Sequence, residues 1–144
     1  MKRNSIILML TLLLTAGLAA CSNDDSSTDD TLVRTTWKLV GFYTQETGTL
    51  QVAEPAGCDD CYVISFLQDG IVNGKTSTNK FEGKYIVSGE LISFKDCSIT
   101  EVNEMYDGER FFSTLIHTTR FSVLNKQLRL YCNNEQDYLL FKQR

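Results

Sequence analysis

The chain has 144 residues, of which 42% are hydrophobic, and it carries a formal net charge of −4. A chain of this length suits one domain built around a single core. Its acidic balance, without a basic patch that carries interleaved aromatic residues, excludes nucleic acid as a partner. The only histidine is His117, so metal sites built from several histidines are excluded as well.

The first twenty residues predict a signal peptide. Lys2 and Arg3 precede the apolar run IILMLTLLLTAGLAA (residues 6–20), which ends in small residues. The run is shorter than the roughly 20 apolar residues that a spanning helix needs, so a transmembrane anchor is the weaker alternative. We therefore expect residues 1–20 to be removed on export.

The end of this signal indicates a lipoprotein. The sequence LAAC (residues 18–21) resembles the bacterial lipobox, in which small residues precede a cysteine that is acylated and becomes the new N-terminus. Several acyl chains on Cys21 would attach the protein to a membrane essentially permanently. The alternative is a soluble secreted protein with a chance cysteine at its cleavage site.

A polar, acidic segment follows the lipidation site. SNDDSSTDD (residues 22–30) has no apolar residue to bury, so we expect a flexible tether over residues 21–31 and the folded domain over residues 32–144. Ser22 directly after the cysteine resembles the pattern that permits sorting to the outer membrane. The expected location is the bacterial cell envelope, with a lipid anchor in the outer membrane and the domain facing the periplasm or the cell surface.

The rest of the chain consists mainly of short alternating segments separated by turn signals, which is typical of a sandwich or barrel. Turns are expected at residues 68–70 and 88–90, and the longest irregular loop at residues 46–57. Strands are predicted over residues 35–44, 61–67, 79–87, 91–95, 120–124, 127–132 and 137–142. The alternation in residues 79–87 places Phe81, Gly83, Tyr85 and Val87 on one face.

One segment has helical spacing instead. Residues 107–119 place apolar side chains three and four residues apart, which predicts a helix packed against the sheet. Asp107 is the expected N-cap, and Glu109 suits the first helical turn. Such a helix could plug one end of a barrel.

The order of these motifs resembles the META domain, a family that includes heat-shock-inducible lipoproteins of the bacterial envelope. The resemblance rests on TTWKLVGF, ISFLQDG, TNKFEGKY and LISF, followed by the Phe/Leu helix, LRLY and YLLF. It covers nearly all of residues 34–142. It implies a mainly β fold: an antiparallel META-like or lipocalin-like β-barrel or curved sheet with one packed α-helix.

Four positions match the family motif. Trp37 matches its early tryptophan, and Asn79, Gly83 and Tyr85 match its Asn-x-x-x-Gly-x-Tyr element. We expect Trp37 to anchor the core, Asn79 to bond backbone groups, and Gly83 to allow a bulge or close backbone approach. Many members have a cysteine directly before that Asn, where this chain has Thr78, so the family disulfide is in doubt.

With Cys21 lipidated, four cysteines remain, and an even set in an exported domain predicts disulfides. The preferred pairing is Cys58–Cys61 with Cys97–Cys132, because the short spacing of the first pair favours local closure. Chain entropy gives about 2 kcal/mol for the first bridge and about 4 kcal/mol for the second. Cross-pairing of the two sets stays open, since connectivity cannot be deduced from sequence.

The motif CDDC is also compatible with other chemistry. A redox centre needs a stabilised thiolate, usually at a helix N-terminus, whereas Asp59 and Asp60 oppose thiolate formation and a strand is expected next. Zinc bound by four thiolates does not fit the spacing of familiar ribbons or an oxidising compartment. We therefore expect no metal, no cofactor and no catalytic residues.

Three functions are compatible with these features. The favoured one is a non-enzymatic envelope lipoprotein that is attached to the membrane through Cys21 and interacts with envelope proteins. The second is a carrier of a small molecule inside the barrel, which requires a cavity that a core of large aromatic residues would fill. The third is a thiol-disulfide oxidoreductase that acts through Cys58 and Cys61. The residues expected to fill the core are Trp37, Phe66, Phe81, Tyr85, Phe94 and Phe112.

Overall fold

Nine strands and one α-helix account for most of residues 31–144, the part of the chain that this computed structural model describes. The predicted signal peptide, Cys21 and nearly all of the predicted tether lie outside the described residues. The elements are β1 (Thr35–Thr44), β2 (Thr49–Val52), β3 (Val63–Phe66), β4 (Ile71–Lys75), β5 (Lys80–Ser88), β6 (Leu91–Ile99), α1 (Gly108–Ile116), β7 (Arg120–Leu124), β8 (Gln127–Cys132) and β9 (Asp137–Gln143).

The strands form one antiparallel sheet that closes into a barrel. Neighbouring strands follow chain order from β3 to β9, and β1 closes the ring by pairing with both β3 and β9. The barrel therefore has eight strands, and β2 is an additional strand beside the second half of β1. The predicted mainly β barrel with one helix is confirmed.

Strand β1 uses both of its edges. One edge pairs with β9 from Trp37↔Gln143 to Tyr43↔Tyr138. The opposite edge pairs with β3 through residues 35–38 and with β2 through residues 41–44. A Cβ on Gly41 would lie 2.3 Å from the carbonyl oxygen of Gln51, so only glycine lets β2 approach this closely.

The inside of the barrel is filled by the inward side of each strand. The two-residue alternation buries Phe81, Tyr85 and Val87 along β5, as the sequence predicts. Trp37 is 1% exposed, and its indole Nε1 donates a hydrogen bond to Thr35 Oγ1 at 2.7 Å. Phe94 and Phe112, two further predicted core residues, are partly buried and pack against this core.

Helix α1 covers one end of the barrel. Its Phe111 is fully buried and makes ring contacts with Tyr62, Phe81 and Phe141, which come from three different strands or their flanks. The helix is shorter than predicted, at Gly108–Ile116. Asp107 stands at the N-cap position but makes no side-chain capping bond, because its carboxylate accepts a hydrogen bond from Glu54 N instead.

Two strands were not predicted from the sequence. Strand β2 falls inside the loop expected at residues 46–57, and all four of its side chains are exposed, so no hydrophobic alternation marked it. Strand β4 contains Asn73-Gly74, which is typical of a turn. No helix among residues 31–144 is long and apolar enough to cross a membrane.

The predicted Cys97–Cys132 bridge is not formed, and neither is a cross-pairing with the other two cysteines, since Cys58 is bonded to Cys61 and the remaining two thiols are free. Cys97 lies on β6 and Cys132 on β8, with β7 between them. Strands are spaced about 4.8 Å apart, so two spacings alone exceed the roughly 7 Å limit between the Cα atoms of a disulfide.

Gly83 stands at an irregularity between β5 and β6. The register shifts between Glu82 and Lys84, and a Cβ on Gly83 would lie 2.6 Å from Cys97 Sγ and 3.0 Å from its Cα. The glycine is therefore needed for the close approach of the two strands, which is the role expected for it.

We predict that Gly83→Ala lowers the free energy of unfolding by about 1–3 kcal/mol, because the added methyl group overpacks the Cys97 side chain. Urea denaturation measures the difference. Gly57→Ala is the matched control, because a Cβ there meets no atom within 4 Å. Adding Cys97→Ala to Gly83→Ala should restore part of the lost stability. Equal stabilities of Gly83→Ala and the control Gly57→Ala would contradict the packing argument.

Candidate functional site: a platform of three loops

Three loops meet at the end of the barrel that α1 covers. They are the segment 53–62 before β3, the turn 76–79 between β4 and β5, and the segment 100–107 between β6 and α1. We call these three loops together the loop platform. Their side chains and backbones bond to one another, so the platform is a single connected unit.

Glu104 is the centre of the platform. Its carboxylate accepts hydrogen bonds from Ser77 Oγ at 2.6 Å, Thr78 N at 3.0 Å and Asn79 Nδ2 at 2.7 Å. Thr76 Oγ1 lies 2.8 Å from both carboxylate oxygens. One carboxylate from the third loop thus binds every residue of the turn between β4 and β5.

These hydrogen bonds set the acidity of Glu104. Burial alone would raise the pKa of its carboxyl group, but the donors from Asn79, Ser77, Thr76 and Thr78 together outweigh burial and lower it below its usual value. Glu104 is therefore ionised at neutral pH, and the negative charge strengthens each of the bonds that it accepts.

Asn79 links the same turn to the end of β6. Its Nδ2 donates to Val102 O at 2.7 Å as well as to Glu104, and its Oδ1 accepts from Val102 N at 2.9 Å and Thr100 Oγ1 at 2.8 Å. Both donor and both acceptor positions of the buried amide are satisfied. The expected backbone bonding by Asn79 is present, whereas Glu104 as its partner was missed, because a lone acidic residue in a polar stretch carries no local signal.

The first loop is joined to the platform by the Cys58–Cys61 disulfide, which is present as predicted. Cys61 Sγ lies 3.7 Å from Ser77 O, so the bridge touches the turn that Glu104 binds. Tyr62 Oη donates to Glu54 O, and Glu54 N donates to Asp107 Oδ2 at 2.9 Å. The disulfide loop is therefore attached to both of the other loops.

Lys38 supports the disulfide loop from β1. Its Nζ donates to Cys58 O at 2.7 Å and to Cys61 O, so the ammonium group binds the carbonyls of the CDDC turn. Burial, followed by the nearby charge of Arg144, lowers the pKa of Lys38. The turn leads into β3 rather than into a helix, as expected for a structural bridge.

The third loop carries the exposed apolar side chains of the platform. Val102, Met105 and Tyr106 are each more than half exposed, and each lies within two residues of Glu104 in the sequence. Met105 O also accepts a hydrogen bond from Ser77 Oγ. Exposed apolar side chains that are clustered in this way are typical of interaction surfaces.

The other predicted site residues lie elsewhere. Tyr85 is buried, and its hydroxyl donates to Leu67 O at 3.1 Å, at the opposite end of β3 from the platform. Burial raises the pKa of the Cys97 and Cys132 thiols, with Asp96 and Asp137 adding to the effect, so both thiols are protonated at neutral pH. Among residues 31–144, no three His, Cys, Asp or Glu side chains are grouped in a way that could hold a metal ion.

An open surface depression lies beside the platform. It has a volume of about 730 Å³, is open to solvent, and extends over the outer faces of β3, β4 and β5. Lys75, Lys80 and Arg144 contribute positive charge to it, and Asp60 and Glu82 contribute negative charge. Because charges of both signs line the depression, they do not favour one class of ligand.

We predict that Glu104→Gln destabilises the domain by about 1–3 kcal/mol at pH 7, because an amide cannot accept all of the bonds that the carboxylate accepts. Since the folded pKa of Glu104 is lowered, its stabilisation is complete above the ordinary carboxyl pKa of about 4.5 and is lost as the pH falls through the lower folded value. The stabilities of wild type and variant should therefore converge as the pH falls through the lowered pKa of Glu104.

Chemical denaturation at a series of pH values tests this prediction. The control is Glu101→Gln, which removes an exposed carboxylate three residues away on the same loop and should leave stability at pH 7 unchanged. A constant difference between wild type and Glu104→Gln at every pH would contradict the proposed role of the charge.

Comparison with known proteins places this chain in a family. The model of the META domain matches residues 30–144. The fold is similar to that in an NMR structure of a protein from Burkholderia xenovorans, with a TM-score of 0.66, 21% identity, and coverage of 79% of this chain and 84% of the other. It is also similar to the crystal structure of a DUF4847 family protein from Bacteroides vulgatus, with a TM-score of 0.58, 16% identity, and coverage of 77% and 93%. Comparison with curated proteins gave no match. The family match spans the whole barrel and all three loops of the platform, and the chain therefore belongs to the META domain family.

Proposed function

We propose that this protein is a non-enzymatic lipoprotein of the bacterial envelope whose META domain binds another envelope protein through the loop platform. The observation that carries the proposal is the placement of Val102, Met105 and Tyr106 on a loop whose backbone is bonded to the barrel through Glu104 and Asn79. The membrane attachment rests on the lipobox-like sequence that ends at Cys21.

The hydrogen bonds of the platform favour binding because they order the loop in advance. Fixing a free side chain at an interface costs about 0.5–1.5 kcal/mol, and a loop that is already bonded to the barrel avoids much of the further cost of ordering its backbone. Tyr and Met are also enriched at protein interfaces, where they supply large apolar contact areas. The platform thus has the composition and the rigidity of a protein-binding surface.

A protein partner is favoured over a small molecule inside the barrel. The side chains that point inward are large and fully buried, and they pack ring against ring across the interior. This core occupies the space that a lipocalin-like carrier would need for its ligand. The fully buried members include Trp37, Ile64, Phe66, Phe111, Leu128, Leu130, Leu139 and Phe141.

A structural role for Cys58 and Cys61 is favoured over thiol-disulfide exchange. Cys61 is buried, Cys58 packs against the core, and the sequence between them supplies two acidic residues, which oppose thiolate formation. The nearby ammonium group of Lys38 binds the loop carbonyls, so its charge is engaged in holding the turn. The bridge then serves to position the first loop of the platform.

The anchor is tested by Cys21→Ala. In cells that receive labelled palmitate, wild type should take up the label and remain in the outer-membrane fraction, because acyl chains hold it there. The variant should lose both properties. Ser22→Ala is the matched control, and an unlabelled wild-type protein or a membrane-bound, labelled Cys21→Ala variant would contradict the anchor.

The binding surface is tested by site-specific photo-crosslinking in intact cells. A chain with Tyr106→p-benzoylphenylalanine should form a discrete adduct with an envelope protein, and adding Met105→Ser should reduce that adduct about tenfold, as expected for an interface hot spot. Leu124→p-benzoylphenylalanine is the control, because Leu124 is equally exposed but is the last residue of β7, outside the platform. No adduct from the Tyr106 position, or an adduct only with a second copy of this chain, would contradict the proposal.

A further inference from the structure

A second apolar surface lies at the other end of the barrel. Leu67, Ile71, Ile86 and Leu91 are all exposed, with 44% of Ile71, 56% of Ile86 and 58% of Leu91 accessible to solvent. Each is preceded or followed along its strand by a buried core residue, so their side chains point outward. We call these four residues the aliphatic ridge.

The pairing of the strands makes the ridge continuous. Leu67 N donates to Ile71 O at 2.7 Å, which places these two residues side by side. Ile71 pairs with Lys84, so Ile86 is its diagonal neighbour on β5; Ile86 pairs with Ser93, so Leu91 is its diagonal neighbour on β6. Diagonal neighbours on one face of a sheet lie about 7–8 Å apart, within reach of aliphatic side chains.

The chain enters the fold beside this ridge. Leu32 is fully buried, and Arg34 N donates to Phe66 O at 2.8 Å, one residue before Leu67. Arg34, Leu67 and Ile71 together line an open depression of about 560 Å³. The point at which residues 21–31 join the domain is therefore next to the aliphatic ridge.

The length of the preceding segment limits how far this end can lie from a membrane. Ten residues separate Cys21 from Leu32, and at no more than about 3.6 Å per residue they span at most about 40 Å. The ten-residue strand β1 is itself about 33 Å long. The ridge is the exposed apolar surface that adjoins the point where the anchoring segment joins the domain. An anchor on Cys21 therefore keeps the ridge at a high effective concentration near the lipid surface.

We propose that the aliphatic ridge docks on the bilayer in which Cys21 is anchored, an inference that rests on the lipid anchor of the proposed function. The ridge side chains insert at the boundary between headgroups and acyl chains, as the apolar faces of interfacial elements do. The flanking charges have both signs: Lys84 is paired with Asp96 at 3.5 Å, and Asp69 lines the same depression as Arg34. Apolar contact rather than net charge therefore carries the docking, and salt should not release it.

This contact would orient the domain. Strand β3 runs from the loop platform at Tyr62 to the ridge at Leu67, and β4 returns from Ile71 to the turn 76–79. The platform and the ridge thus lie at opposite ends of these strands. A domain docked through the ridge presents Val102, Met105 and Tyr106 away from its own membrane.

The experiment uses the mature protein, purified from membranes and reconstituted in vesicles of phosphatidylethanolamine and phosphatidylglycerol that contain phosphatidylcholine brominated near the headgroup. Ile86→Trp places a fluorescent, apolar side chain on the ridge. Its emission should be about twofold lower in brominated than in unbrominated vesicles, because bromine quenches a tryptophan side chain that lies at the same depth in the bilayer. The native Trp37 is 1% exposed and supplies the background, measured in wild type. Val52→Trp is the matched control, since Val52 is 51% exposed but adjoins the first loop of the platform, and it should not be quenched.

Two further measurements decide the interpretation. Adding Ile71→Asp to Ile86→Trp should abolish the quenching, whereas 1 M salt should leave it unchanged; quenching that disappears in salt would overturn an apolar contact. The mass of the N-terminal peptide is determined on the same preparation. An acylated chain without quenching at the ridge overturns the docking alone, whereas a chain without acyl groups overturns the anchor and the docking together.

Discussion

The double use of β1 is the constraint on which the rest of the structure depends. One edge of β1 pairs with β9, so that the first and last strands of the domain meet and close the barrel. The other edge of β1 pairs with β3 along its first half and with β2 along its second half. Closure pairs both edges of most strands, which is the usual solution to the exposure of unpaired backbone groups in β proteins, although β6 and β7 pair only at Leu91 and Arg120. It also fixes Leu32 and Thr35 against the end of β3, because Thr35 pairs with Phe66. The position at which the N-terminal segment joins the domain follows from this register.

The end of the barrel that carries the loop platform depends on polar bonding rather than on apolar burial. A half-buried carboxylate and a buried amide would each be costly without partners, but Glu104 and Asn79 satisfy one another and the surrounding backbone. The disulfide closes a loop of only four residues, so its contribution through chain entropy is small, about 2 kcal/mol. Its value lies in placing one loop against the turn that Glu104 binds.

Together these features give the domain two different ends. One end holds the loop platform, where exposed apolar side chains lie on loops that are hydrogen-bonded to one another. The other end holds the aliphatic ridge, beside the point where the N-terminal segment joins the domain. The core between them is aromatic and tightly packed. A core packed in this way leaves no room for a ligand between the two ends. Such an arrangement suits a module that connects a membrane to a protein partner.

The sequence by itself determined the parts of this protein that depend on local pattern. The alternation in residues 79–87 correctly indicated which side chains of β5 face the core, and the order of motifs indicated the META family and its barrel. The short spacing of Cys58 and Cys61 correctly indicated their bridge. Each of these features arises from neighbours in the chain, where period and spacing act directly.

Only the tertiary structure decided the features that join distant segments. Cys97 and Cys132 are kept apart by β7, although the even number of cysteines and the predicted export suggested a bond. Strand β2 forms because the second half of β1 has an edge available for pairing. The exposed residues of β2 show no hydrophobic alternation that would mark a strand. Glu104 becomes the centre of a site because the chain returns 25 to 28 residues later to the turn that holds Thr76, Ser77 and Asn79. Contacts of this kind depend on register and closure, which are properties of the whole sheet and leave no mark in a single stretch of sequence.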